Sequence, residues 1–161
     1  MVSRRHRSHS FAMPDDLQPI IHLWLLRLLV PLRGHKDFIN ANDFSNDALA
    51  EMLGLGDWVC LNPGNFDANA ARAQLRQLYA AGERSLRHVA TSPCLYGNVA
   101  RLAELVGLSD TDCRILEFAV LIHSERVLDD CADWLGQLSS AKVFQALSVL
   151  LDLPETQVRA S

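Results

Sequence analysis

The sequence predicts an all-α fold: several helices in two small lobes, with helix-turn-helix-like units in the C-terminal half. Three observations lead there. No stretch alternates apolar and polar residues with the β-branched enrichment of a half-buried strand. Runs of good helix formers recur, each bounded by Gly, Ser, Asp or Pro where helices start and stop. One cadence also appears three times, as "ALAEMLGLGDW" from Ala48, "RLAELVGLSDT" from Arg101 and "ALSVLLDLPET" from Ala146. It describes a helix end, a tight turn and a new helix.

Composition sets the class. The 161 residues are 49% hydrophobic and 21% charged, enough for one core or two small helical units. A net charge of −4 argues against broad binding to a phosphate backbone and leaves room only for a local patch. Cys60, Cys94, Cys113 and Cys131 are scattered, with no Cys-x-x-Cys turn to present two ligands to zinc. They read as buried thiols in a reducing cytoplasm.

The start resembles a signal peptide only superficially. A basic run, "VSRRHRSHS", precedes an apolar one, but Asp15 and Asp16 separate them, and His22 and Arg27 interrupt the second. No small-residue cleavage site follows Val30, and the run is short of the ~20 residues that span a bilayer. Residues 1–13 are therefore expected to be a disordered basic arm on a cytoplasmic protein without a membrane span.

The N-terminal lobe is expected over 14–82. Pro14-Asp15-Asp16 offers a helix entry, and the first helix runs from about Leu17 to Val30, before Pro31. It is apolar nearly all round, so it must be wrapped by other helices or by self-association through Leu17–Val30. Either way Trp24 is expected to be buried. Gly34 and the Asn/Asp-rich stretch to Asn42 read as loop, followed by a short helix from Ser45 to Leu53 closed by Gly54. Pro63-Gly64 suits a β-turn, and Asp67 can cap a strong helix over "ANAARAQLRQLYAAG", ended at Gly82.

The C-terminal lobe is expected over 95–161. A helix spans Leu95–Val106, closed by Gly107. Ser109 and Asp112 match a capping box, with Asp in place of Glu, ahead of an apolar helix through Ile122. Two more helices fit "ERVLDDCADWLGQL" and "SAKVFQALSVLL", broken near Gly136 and Ser139.

The cadence raises the question of DNA. A reading helix must carry polar side chains to base edges, with basic groups nearby for phosphates. After Ser109 the second helix carries only Arg114 and is too apolar, so it reads as core. After Leu153 it would be "PETQVRAS", with Thr156, Gln157 and Arg159 as the candidate contacts, ending after one or two turns.

The span from Leu95 to Ser161 resembles the helical region before the ATPase module in a group of large bacterial AAA-type ATPases. The resemblance rests on Leu95-Tyr96-Gly97-Asn98, on Val106-Gly107-Leu108-Ser109 with Val in place of Leu, on Ile115-Leu116-Glu117-Phe118, and on Leu147–Leu153. These motifs are apolar spacings. The chain lacks the Gly-x-x-x-x-Gly-Lys-Ser/Thr loop that cradles nucleotide phosphates. The resemblance thus implies the front of a longer protein, cut before its catalytic module.

Other chemistry is sparse. There is no Gly-x-Ser-x-Gly elbow, and the six histidines form no His-x-x-x-His pair. In "HSERVLDDCADW", Asp129 and Asp133 share a helix face that could hold a hard cation, but a solvated face with an exposed Arg126–Asp130 pair accounts for them. Arg72, Arg76, Arg84 and Arg87 make a basic stretch that reads as an ordinary polar face. The expectation is a non-enzymatic helical adaptor, without catalytic residues, cofactor or metal. It would engage a protein partner or the missing ATPase module. The alternative is a small helix-turn-helix DNA-binding regulator.

Overall fold

A computed structural model describes residues 18–59, 63–88 and 91–161. Among them the chain forms ten α-helices, one 3-10 turn and no strand, apart from an isolated bridge between Ile39 and Phe44. The predicted all-α class is the observed one. The expected basic arm at 1–13, the Pro14-Asp15-Asp16 entry and Cys60 lie outside the described residues.

α1 (Gln18–Leu29) is the axis of the molecule. Ile20, Ile21 and every residue from Leu23 to Leu29 are buried, Trp24 at 3% exposure. Such a helix cannot show one face to water, and the fold wraps it with α5, α8, α9 and α2. Each fully buried Leu or Ile contributes ~1.5–3 kcal/mol. Among the described residues of this helix, no large apolar side chain is left exposed.

The Asn/Asp-rich stretch is not all loop. α2 (His35–Phe38) turns the chain back along α1, and the fully buried Phe38 holds it. Phe38 stacks on Phe44 at 5.0 Å and on Trp134 at 5.6 Å between ring centroids. Phe44 meets Phe66 edge-on, and Phe66 meets Trp58. α3 (Asp47–Met52) starts two residues beyond the expected Ser45, with the Asn46 side chain accepting from the Leu49 amide. α4 (Gly56–Val59) follows, then a 3-10 turn over Pro63–Asn65 that contains the expected Pro63-Gly64 turn.

α5 (Ala68–Leu86) begins where Asp67 accepts hydrogen bonds from the Asn69 and Ala70 amides. It does not end at Gly82. A Cβ at Gly82 would sit 2.9 Å from Leu26 Cδ1, so this glycine lets α5 and α1 approach closely. Leu26 is fully buried and has nowhere to retreat. Gly82→Val is therefore expected to destabilise the protein by about 2 kcal/mol in urea denaturation, despite the better helix propensity of valine over glycine.

The C-terminal half comprises α6 (Pro93–Val106), α7 (Asp110–Ser124), α8 (Arg126–Asp133), α9 (Ser140–Leu151) and α10 (Glu155–Ala160). α7 opens with the predicted capping box, the Ser109 hydroxyl accepting from the Asp112 amide while the Asp112 carboxylate accepts from the Ser109 amide. The two lobes expected over 14–82 and 95–161 share one core. Leu25, Leu49 and Leu75 from the first half belong to the same buried cluster as Phe118, Leu128 and Leu150 from the second.

The recurring cadence has one structural meaning. Gly54, Gly107 and Asp152 all adopt the left-handed conformation, with φ of 79°, 76° and 51°. The amide that follows each, from Leu55, Leu108 and Leu153, donates to the carbonyl of Ala50, Ala103 and Ser148 respectively. These acceptors are the small residues at the third position of the cadence. It is the Schellman stop, used three times.

Candidate functional site

α6 packs chiefly on α7 and stands off the central helix. Ser92 caps it by accepting from the Leu95 amide, Pro93 begins it, and Gly107 ends it. The stand-off leaves a cleft of about 650 Å³ between α6, α7 and α1. Ile20, Leu23 and Trp24 form its inner wall, and Val99, Ala100 and Ala103 face them from α6. Trp24 meets Phe118 of α7 edge-on at 5.0 Å, which fixes the spacing of α1 and α7 at the cleft floor.

Three arginines border the cleft, and all converge on the C-terminal end of α9. Arg27, 4% exposed, donates through Nε and Nη2 to the two carboxylate oxygens of Glu83 at 2.7 and 3.0 Å. Its Nη1 donates to the Leu150 carbonyl at 2.6 Å. Arg114 donates to the next carbonyl, of Leu151. Arg87 binds both carboxylate oxygens of Asp152 at 2.7 and 3.1 Å. These carbonyls are the negative end of the α9 dipole, so the cations sit where the backbone favours them. Asp152 tolerates a conformation better suited to glycine, and in exchange supplies the carboxylate that Arg87 needs.

Arg87 holds the Asp152 carboxyl below the ordinary aspartate range, first through the hydrogen bond. A depressed folded-state value means stability that is present above the ordinary range and lost as pH falls through the depressed one. The melting temperature of the native protein is therefore expected to fall more steeply on strong acidification than that of Asp152→Asn. Burial moves Glu117 the other way: its carboxyl lies above the ordinary range, against the pull of the Thr91 hydroxyl and Arg114.

The outer side of α6 is apolar and uncovered. Leu102, Leu105 and Val106 lie three and four residues apart on one face, and Leu105 is 81% exposed. Arg101 and Glu104 flank them in solvent. The sequence did not single out this stripe as a site. Its signal was available: α6 carries apolar residues over more of its circumference than one neighbouring helix covers.

The candidate DNA contacts are distributed differently from a reading surface. Thr156 and Gln157 are exposed on α10, but Arg159 is folded back on Glu155 at 2.6 Å and lies 4.9 Å over the Phe144 ring. Val158 pins α10 into the core. α7, the other second helix, is core as expected, with Phe118 and Leu121 buried. Of the basic stretch, Arg72 donates to the Ile39 carbonyl and Arg87 binds Asp152, while Arg76 and Arg84 are solvated. Arg126 and Asp130 form the expected exposed pair at 3.8 Å.

The cysteines diverge from the uniform expectation. Cys131 is buried and its thiol is pushed up to about 12, so it is inert at neutral pH. Cys113 is half-buried at the cleft and Cys94 is exposed. Among the described residues no group of His, Cys, Asp or Glu is arranged to hold a metal ion, and no helix is long and apolar enough to cross a membrane. Comparisons of the chain with family models, curated proteins and solved structures return no match.

Proposed function

We propose that this chain is a non-catalytic helical adaptor that engages another polypeptide through the outer face of α6. The observation that carries this reading is the stripe of Leu102, Leu105 and Val106, left bare on a helix that is itself well capped at both ends. A monomer gains nothing from holding such side chains in water, and a partner helix laid along them would remove them from it. The resemblance of Leu95 to Ser161 to the region before an AAA-type ATPase module suggests the kind of engagement, namely coupling of a partner or substrate to a motor in the cytoplasm. DNA reading through Thr156, Gln157 and Arg159 is the weaker alternative, because α10 is six residues long and its arginine is already paired.

The test is a photo-crosslinking amino acid placed at Leu105, with the exposed Gln137, between α8 and α9, as control. The adaptor reading expects a discrete heterologous product from Leu105, lost when Leu102→Glu is added and absent from Gln137. Equal products at both positions, or none at Leu105, would remove its support. Salt-dependent binding of duplex DNA that Arg159→Ala abolishes would move the assignment to the alternative.

A further inference from the structure

The cleft behind α6 is a second site, independent of the adaptor reading, since none of Leu102, Leu105 and Val106 lines it. Its six charged side chains are not used alike. Arg27 and Arg87 are each bound by a carboxylate, and Arg114 donates to a carbonyl at the negative end of α9. Glu104, Asp110 and Glu117 also line the cleft and have no salt-bridge partner among the described residues, Asp110 and Glu117 lying on α7 with Arg114. The charge left over for a ligand is negative, and it borders an apolar wall containing an indole.

We propose that this cleft binds a small cationic amphiphile: an organic ammonium or guanidinium group on an aliphatic or aromatic body. The volume, about 650 Å³, suits a ligand of small-molecule size. The cation would sit beside Glu117, within reach of the Trp24 ring, which attracts positive charge through its π face. The body would lie against Leu23 and Val99. An anionic amphiphile of the same shape meets three carboxylates without a salt bridge, against the one arginine, Arg114, whose charge no carboxylate neutralises.

Trp24 supplies the readout. In a Trp58→Phe, Trp134→Phe background it is the single tryptophan, and its emission is followed on titration with n-octylamine, n-octanol and n-octanoate at neutral pH and physiological salt. Octylamine is expected to give a saturable change, about tenfold tighter than octanol, with octanoate weaker than both. Glu117→Gln is expected to weaken octylamine about tenfold or more, as loss of a charged hydrogen-bond partner does. Its melting temperature holds or rises, because burial disfavours the native carboxylate. Glu104→Gln, at an exposed position, weakens binding in the same direction and keeps the test alive if Glu117→Gln folds poorly. Octanol or octanoate binding as tightly as octylamine would overturn the proposal. So would a failure of octylamine to saturate at millimolar concentration, or an affinity unmoved by both glutamine variants.

Discussion

Replacing Glu83 with leucine is expected to cost the fold about 3 kcal/mol, although Glu83 itself is only half-buried. The cost falls on Arg27. With its carboxylate gone, a guanidinium that is 4% exposed keeps a single described partner, the Leu150 carbonyl, and has almost no access to water. Arg27→Met alone should also be destabilising, because it strands the Glu83 carboxylate and frees the Leu150 carbonyl. The informative variant is the double one. Arg27→Met with Glu83→Leu removes both charges and fills the space with apolar atoms, so it should be more stable than Glu83→Leu alone. Denaturant unfolding of the four proteins at neutral pH measures this. Additive losses, with the double variant worst, would mean that the pair is not a desolvated unit.

Trp24→Ala should be at least as damaging, at about 4 kcal/mol. The indole is 3% exposed, meets Phe118 edge-on and separates the core of α1 from the cleft. Truncation there forfeits transfer energy and merges a new void with an existing cavity, which α6 cannot collapse to fill because it packs chiefly on α7. Trp24→Phe keeps an aromatic partner for Phe118 and should cost about 1–2 kcal/mol. The ratio of the two losses, read from denaturant midpoints, reports how rigidly α7 is held to α1 through this contact.

Much of the backbone was legible, and the reason is local chemistry. The helix stops at Gly54, Gly107 and Asp152 depend on residues within one turn of each, so the cadence announces them. The same holds for the Ser109–Asp112 box and the Asp67 cap. The burial of Trp24 followed from a helix with no polar side. Gly82 misled because a glycine that ends a helix and one that admits a neighbour look alike until Leu26 is seen against it. α2 was hidden beside Asn and Asp residues because only Phe38 among its side chains is buried and the His35 bond to the Leu29 carbonyl exists only once the chain has folded. How the two halves pack was not legible, because α1 is buried by helices from both of them.

The site was much less legible, since its parts come from far apart. Arg27, Arg87 and Arg114 meet at α9 only after the chain folds, and each had a bland local reading. Arg27 interrupted an apolar run, Arg87 ended a basic stretch, and Arg114 was the lone base of a core helix. The interruption was the useful clue. An arginine in a helix that is otherwise apolar all round must find a buried partner, and Glu83 is that partner.

The central claim is that one core organised by α1 carries α6 as an outlying helix whose far face is free for engagement. Native-state hydrogen exchange, read amide by amide, tests it most directly. Amides of α1 from Ile21 to Leu29 should exchange only through global unfolding. Those of α6 from Val99 to Val106 should open locally, with protection lower by several orders of magnitude and little dependence on denaturant. Protection of α6 equal to that of α1, with the same denaturant dependence, would mean that α6 opens only with the core and is not an outlying helix.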